Sequence, residues 1–268
     1  MSHPYFQFPL CALNLPDSET ERLNCIISFG CVAMGKHEWN KLTDQQKEAW
    51  RRNPPIDECY ASDVEPASDL HLQALLGARR LQLRTGSVRT LTGRHKRLKR
   101  HVLDFERQHG SDAQVRLATN FIFEARDEPG ISFAEIAVLS GIYSKVGAAK
   151  TPVRITRQEI RRRAHGCKSK KVFHVQRSSR GVFLSERQTR SIIDRLHERR
   201  FFARITFARR QTYYSHRLTA DQLAEAIFQL KTRGAKTRHT RIQANNDLTS
   251  RIRAERIRLA DPGSAEAT

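Results

Sequence analysis

The run Leu184-Ser185-Glu186-Arg187-Gln188-Thr189-Arg190-Ser191 gathers two arginines, a glutamine and a hydroxyl into about two helical turns. Those side chains suit the reading of base edges. Arginine presents a two-pronged donor that matches guanine O6 and N7, and glutamine a donor–acceptor pair that matches adenine N6 and N7. Thr189, Ile192, Ile193 and Leu196 recur at i, i+3, i+4 and i+7, so they form the core side of a helix. The opposite side then shows Arg187, Arg190, Ser191, Asp194, Arg195 and Glu198. A helix lying in the major groove contacts bases with its N-terminal residues. That selects Arg187, Gln188, Arg190 and Ser191, with Arg195 further along. Ala208-Arg209-Arg210-Gln211 joins two β-like runs, which puts Arg209, Arg210 and Gln211 at a hairpin tip, placed for the minor groove or a phosphate. Arg157, Arg161, Arg162 and Arg163 on a preceding helix, with Lys168, Lys170 and Lys171 after it, add cations for backbone phosphates. Such contacts give affinity without sequence information.

Other groupings carry less chemistry. His197-Glu198-Arg199-Arg200 ahead of Tyr213 and Tyr214 has the residue types of a tyrosine-recombinase site. The spacing is too short for that layout, and the two tyrosines read as strand residues, one in and one out. No His-x-His metal pair is present, as a rolling-circle nickase would want. Cys25, Cys31 and His37 are spaced too widely for a structural zinc site, which favours tight ligand pairs. No Walker A loop, G-x-G-x-x-G or paired acidic constellation occurs. The expectation is a non-enzyme with no metal and no cofactor.

The charge supports a polyanionic partner. The 268 residues carry a formal net charge of +20, and the excess is uneven. Residues 1–131 hold 18 Lys+Arg against 17 Asp+Glu, whereas residues 132–258 hold 30 against 9. An unpartnered surface of that kind repels itself. No apolar run approaches the ~20 residues of a membrane span, and the first ten residues lack the basic and apolar regions of a signal peptide. Five cysteines, odd in number and without C-x-x-C, fit reduced thiols in a cytoplasmic, nucleoid-associated protein.

Helix starts are legible from Ser or Thr followed three residues on by Glu or Gln, which satisfy two orphan N–H groups reciprocally. The pattern falls at Ser18/Glu21, Thr43/Gln46, Ser111/Gln114, Ser132/Glu135, Thr156/Glu159, Ser185/Gln188 and Thr219/Gln222. Tyr5 to Leu10 reads as extended and packed. Helices are expected from about Ser18 to Met34, Thr43 to Arg52, 69 to 84, Arg89 to Arg107 and Ser111 to Ala125. The fourth contains the basic run Gly93 to His101, readable either as a solvated face or as a second phosphate contact. Asp127-Glu128-Pro129-Gly130 marks a boundary. Beyond it come a buried helix from Ser132 to Lys145, a short β-run Pro152–Ile155, a helix from Arg157 to about His165, a long connection, the helix from Glu186, two β-runs (201–207 and 212–218) and a last helix from Thr219. Lys231 to Arg241 reads as a basic, flexible arm, and Arg251, Arg253, Arg256 and Arg258 as a further basic helical turn.

Helix, short strand, helix, helix, strand, basic tip, strand resembles the winged helix-turn-helix superfamily. The flavour is nearest to phage and plasmid replication initiators, through Leu184-Ser185-Glu186-Arg187-Gln188, Arg195-Leu196 and Phe201. The resemblance covers about residues 132–232. It departs from the pattern where about 18 residues separate the second and third helices, so that Lys168–Gly181 is an insertion or Lys170–Val175 forms extra structure. The expected architecture is mainly α: a helical domain over 1–130, a winged helix with a β-hairpin wing over 131–232, and a flexible basic tail over 233–268. The resemblance implies binding of double-stranded DNA in replication initiation or maintenance of a plasmid, phage or other mobile element, with residues 1–130 docking a partner protein or a second protomer. A transcriptional regulator with the same domain, and an RNA-binding or ribonucleoprotein component, are the alternatives.

Overall fold

The computed structural model describes residues 5–54, 68–81, 87–118, 131–147, 149, 151–180, 183–207, 211–234 and 246–254. It is mainly helical with two small sheets. Two compact units divide the chain: Met1–Ser144 with Gln158–Thr189, and Lys145–Arg157 with Arg190–Thr268.

In the first unit, strand β1 (Tyr5–Pro9) alternates side chains so that Phe6 and Phe8 are buried. A 3-10 turn and helix α1 (Glu19–Trp39) follow, then α2 (Asp44–Arg52), α3 (Asp69–Arg80) and α4 (Val88–His109). Helix α1 packs against α3, α4 and β1. It crosses α3 with the two backbones in contact: a Cβ built on Gly35 would lie 1.7 Å from the Gln73 carbonyl oxygen, and one on Gly77 would lie 1.9 Å from that of Cys31. Val32, Ala74, Leu75, Ala78, Val88 and Leu91 complete the core beside this crossing.

The segment expected as a helix from Ser111 to Ala125 is instead strand β2 (Gln114–Ala118), antiparallel to β1 with Phe6 opposite Leu117 and Phe8 opposite Val115. The remainder of that expected helix lies outside the described residues. Period-2 alternation wins over a local cap signal here because the partner strand buries Val115 and Leu117 on one face. Beside Ser111, the Asp112 carboxylate accepts the Cys11 N–H at 2.6 Å.

Helix α5 (Phe133–Val146) is buried nearly all round, as its composition demands. Helix α6 (Arg157–Ala164) meets it closely, with the Ile160 carbonyl oxygen 2.8 Å from a Cβ built on Gly141. The long connection is mostly a helix, α7 (Lys170–Arg180), so the extra structure is an inserted helix. Helix α8 (Glu186–Glu198) follows.

The second unit holds a three-stranded antiparallel sheet, in the order β3 (Val153–Arg154), β5 (Gln211–Ser215), β4 (Ala203–Phe207). Ala203 sits opposite Ser215 and Phe207 opposite Gln211. Helix α9 (Ala220–Gly234) and a helix α10 over 246–254 pack together through Leu223, Ile227 and Leu248, with Ile205 and Tyr213 from the strands. Part of the segment expected to be a flexible tail is therefore helical and anchored, while 235–245 and 255–268 lie outside the described residues.

Reciprocal caps close at Thr43/Gln46, Ser132/Glu135, Ser185/Gln188 and Thr219/Gln222, and Ser18 accepts from the Glu21 N–H. Helix α8 ends in a Schellman arrangement: the Phe201 N–H reaches the Leu196 carbonyl and the Arg200 N–H that of His197. Arg200 holds φ 62°, the left-handed region that glycine occupies most cheaply. Arg200→Gly is expected to raise stability by about 0.5–1 kcal/mol, measured by urea unfolding; a loss would show that the arginine side chain stabilises the turn.

Candidate nucleic-acid interface

Helix α8 presents the side chains that the sequence singles out. Thr189, Ile192, Ile193 and Leu196 are buried, and Arg187, Gln188, Arg190, Ser191 and Arg195 are all exposed. The Ser185 cap fixes where the helix begins and so which residues form its first turn: the Gln188 N–H donates to Ser185 Oγ at 3.1 Å, and the Ser185 N–H donates to Gln188 Oε1 at 2.8 Å. The cap also engages one end of the Gln188 amide. A bidentate adenine contact needs both ends, so Gln188 in this conformation is a capping residue first.

Asp194 lies in the middle of the exposed face and pairs with Arg204 of β4. That pairing offsets the one acid among Arg187, Arg190, Ser191 and Arg195. Arg190 Nε is 3.9 Å from Asp194 with its side chain 69% exposed, a loose tether that a stronger anion displaces. Arg187 makes no ion pair among the described residues. The helix therefore carries a positive, solvent-facing first half, on the end where the helix dipole also favours anions.

Helix α6 divides its arginines. Arg157 is exposed. Arg161 Nε donates to the Leu184 carbonyl at 2.8 Å, its Nη1 lies 3.5 Å from Glu186, and its guanidinium sits 6.0 Å from the Phe173 ring. Arg162 has a side chain only 12% exposed beside Glu159, and its Nε is buried without a hydrogen-bond partner. Arg161 and Arg162 are thus turned into the protein, and Arg161 holds the chain that enters α8. Arg163, grouped with these cations as a phosphate contact in the sequence reading, is instead buried and bridges Glu159 and Ser144, tying α6 to α5. Its place three residues after Ile160 puts it on the core face, the signal that the sequence reading passed over.

Lys168, Lys170 and Lys171 are exposed at the start of the inserted α7, whose Phe173 packs on His165. His165 is also enclosed by Phe183, with ring centroids 4.3 Å apart. Burial, the largest influence, with Arg161 and Arg22 nearby, pulls its pKa down to about 4, so it is a neutral packing residue at pH 7. Gln211 is half-buried and begins β5 opposite Phe207. Arg209 and Arg210 lie outside the described residues.

Among the described residues the thiols offer no reactive site. Cys11, Cys25, Cys31 and Cys167 are buried, and burial pushes Cys25 up to about 11 and Cys167 to about 12. Tyr214 is buried, its phenol likewise pushed up to about 12, and Tyr213 is half-buried on the other side of the strand. No described helix is long and apolar enough to cross a membrane. Among known proteins, no family model, no curated protein and no solved structure matches the chain.

Proposed function

We propose that this chain binds double-stranded DNA through a winged-helix segment over about residues 131–232, with α8 reading bases. The observation that carries the reading is the first half of α8, where Arg187, Arg190 and Ser191 are exposed together over a buried Thr189-Ile192-Ile193-Leu196 stripe. The strand order β3-β5-β4, with β3 ahead of that helix and β4 and β5 after it, supports the reading, since a short first strand pairing with the last is the sheet a winged helix uses. Arg157, Lys168, Lys170 and Lys171 serve as phosphate contacts. Arg161 is a positioning residue that fixes the entry to α8. The biological setting that follows from the resemblance is replication initiation or maintenance of a mobile element, with a homodimer or partner protein engaged by the N-terminal helices.

Selection of bound fragments from a random duplex pool at ~150 mM salt, with single-stranded DNA and structured RNA as competitors, tests the proposal. Enrichment of a short duplex motif is expected. Arg187→Ala or Arg190→Ala should then cost on the order of 1–3 kcal/mol on the selected site and relax base preference. No enrichment, with RNA competing as well as duplex, would overturn the proposal in favour of an RNA-binding protein.

A further inference from the structure

The near balance of charge over the first 131 residues conceals a segregated one. From Leu70 to Leu103 there are nine Lys or Arg and no Asp or Glu at all. Helix α4 holds six of the nine and sorts them by face.

Leu91, Leu98 and Phe105 are buried. Arg94 makes a two-pronged pair with Glu21, its Nε and Nη2 each 3.0 Å from a carboxylate oxygen, and Arg97 pairs with Asp17. His95 stacks on Phe29. These groups are spent on holding α4 to α1. At 100° per residue, Arg89, Gly93, Lys96, Arg100 and Leu103 fall on the opposite side, with Lys99 flanking, and all six are exposed. Arg89, Lys96, Lys99 and Arg100 have no acidic partner among the described residues.

Helix α2 of the same unit shows the contrast. There each cation has an acid beside it: Lys47 with Asp44, Arg51 with Glu48 and Asp69, and Arg52 with Glu48. On α4, by contrast, Lys96 has like charges at i+3 and i+4, an arrangement that weakens a helix. Gly93 lies between Arg89 and Lys96 with nothing within 4 Å of where a Cβ would be, so the backbone is bare in the middle of the strip. Burial and the charges of Lys99 and Lys96 pull the His95 pKa down to about 4, in keeping with a positive potential along this side.

We infer that the exposed face of α4, carrying Arg89, Lys96, Lys99 and Arg100, is a second docking surface for the sugar–phosphate backbone of nucleic acid, separate from α8. The inference rests on the proposed DNA-binding reading and deepens it. Arg89 to Arg100 spans about 16 Å at 1.5 Å per residue, which is about five nucleotides of rise at 3.4 Å per strand. Four point charges on a rigid rod, with no amide or carboxylate among them, suit phosphates and do not discriminate bases. The surface therefore adds affinity and salt dependence and leaves sequence preference to α8.

The test uses the full chain and compares wild type, R89Q/K96Q/K99Q/R100Q and R187A/R190A on one random duplex and on the selected site, from ~50 to 300 mM salt. Anionic phosphatidylserine vesicles form a parallel arm. Glutamine keeps the helix and removes charge, and circular dichroism at 25 °C checks folding. The quadruple variant should show a slope of log Kobs against log salt shallower by about 3.6, at roughly 0.9 for each of four phosphates. Its ranking of specific over random duplex should be unchanged, and vesicles should not bind. R187A/R190A should do the reverse, losing ranking while keeping most of the slope. A wild-type slope in the quadruple variant, with R187A/R190A still losing ranking, would overturn the α4 surface alone. A loss confined to vesicle binding would reassign the face to a membrane. Failure of the wild type to bind any duplex would overturn the DNA-binding reading itself.

Discussion

Gly77→Ala is expected to destabilise the first unit by at least about 3 kcal/mol, the upper end of what overpacking costs. Two effects oppose one another. Alanine is the better helix former by about 1 kcal/mol in a helix interior, so propensity alone predicts a gain. Packing predicts the reverse, because the new methyl would stand 1.9 Å from the Cys31 carbonyl oxygen and 3.1 Å from its Cα. These are backbone atoms of α1, and they cannot rotate away as the end of a side chain does. Relief requires α1 and α3 to separate, which opens the seam lined by Val32, Ala74, Leu75 and Ala78. Packing therefore wins. Gly93→Ala is the control: it is also a glycine inside a helix, but with open space where its Cβ would lie. It should gain about 1 kcal/mol. Trp39 and Trp50, the chain's two tryptophans, both lie in this unit with ring centroids 6.2 Å apart, so fluorescence-detected urea unfolding reports it. Equal stability of Gly77→Ala and wild type would show that the helices do not cross in contact.

The parts of this fold that sequence reasoning reached are those set by near neighbours. A Ser or Thr with Glu or Gln three residues on closes its own hydrogen bonds, so Ser132, Ser185 and Thr219 locate helix starts without help from the rest of the chain. The buried and exposed sides of α8 follow from its 3.6 periodicity in the same way. The misread strand at Gln114 shows the opposite case. Ser111 and Gln114 have the spacing of a cap, and only pairing with Phe6 and Phe8, more than 100 residues earlier, decides for extended backbone. The fate of individual arginines was similarly out of reach. Arg161 and Arg162 are near neighbours of the exposed Arg157, yet a carbonyl at Leu184 and a carboxylate at Glu159 turn them inward. The basic run of α4 was legible, but not which of its cations are spent, because Arg94 and Arg97 pair with Glu21 and Asp17, far earlier in the chain.

Acid should loosen the first unit well above the range where carboxylates titrate. His95 and His165 both have folded-state pKa values of about 4, against an ordinary 6.5, because burial disfavours their charged forms. Between pH 6.5 and 4 the unfolded chain binds more protons than the folded one. Stability therefore rises with pH across that window and is lost as pH falls through it. At about 1.4 kcal/mol per unit, and discounting His95 for its partial exposure, the two together carry on the order of 3 kcal/mol. Glu21 and Asp69, held low by Arg94 and Arg51, act in the same direction only at lower pH. His216 of the second unit is also held low by burial, which is why tryptophan fluorescence is the probe of choice. His165→Phe with His95→Phe should flatten the dependence between pH 7 and 5. A wild type equally stable at both values would show that these rings are not buried neutral. The consequence for binding has a distinctive sign. Protonating an exposed histidine tightens binding to a polyanion, whereas protonating His165 places a charge between Phe173 and Phe183 beside Arg161, the residue that holds the entry to α8. On the proposed DNA-binding reading, sequence preference is therefore expected to fall as pH approaches 4, where the folded ring takes up its proton, while binding to random duplex holds, and His165→Phe should keep its preference there.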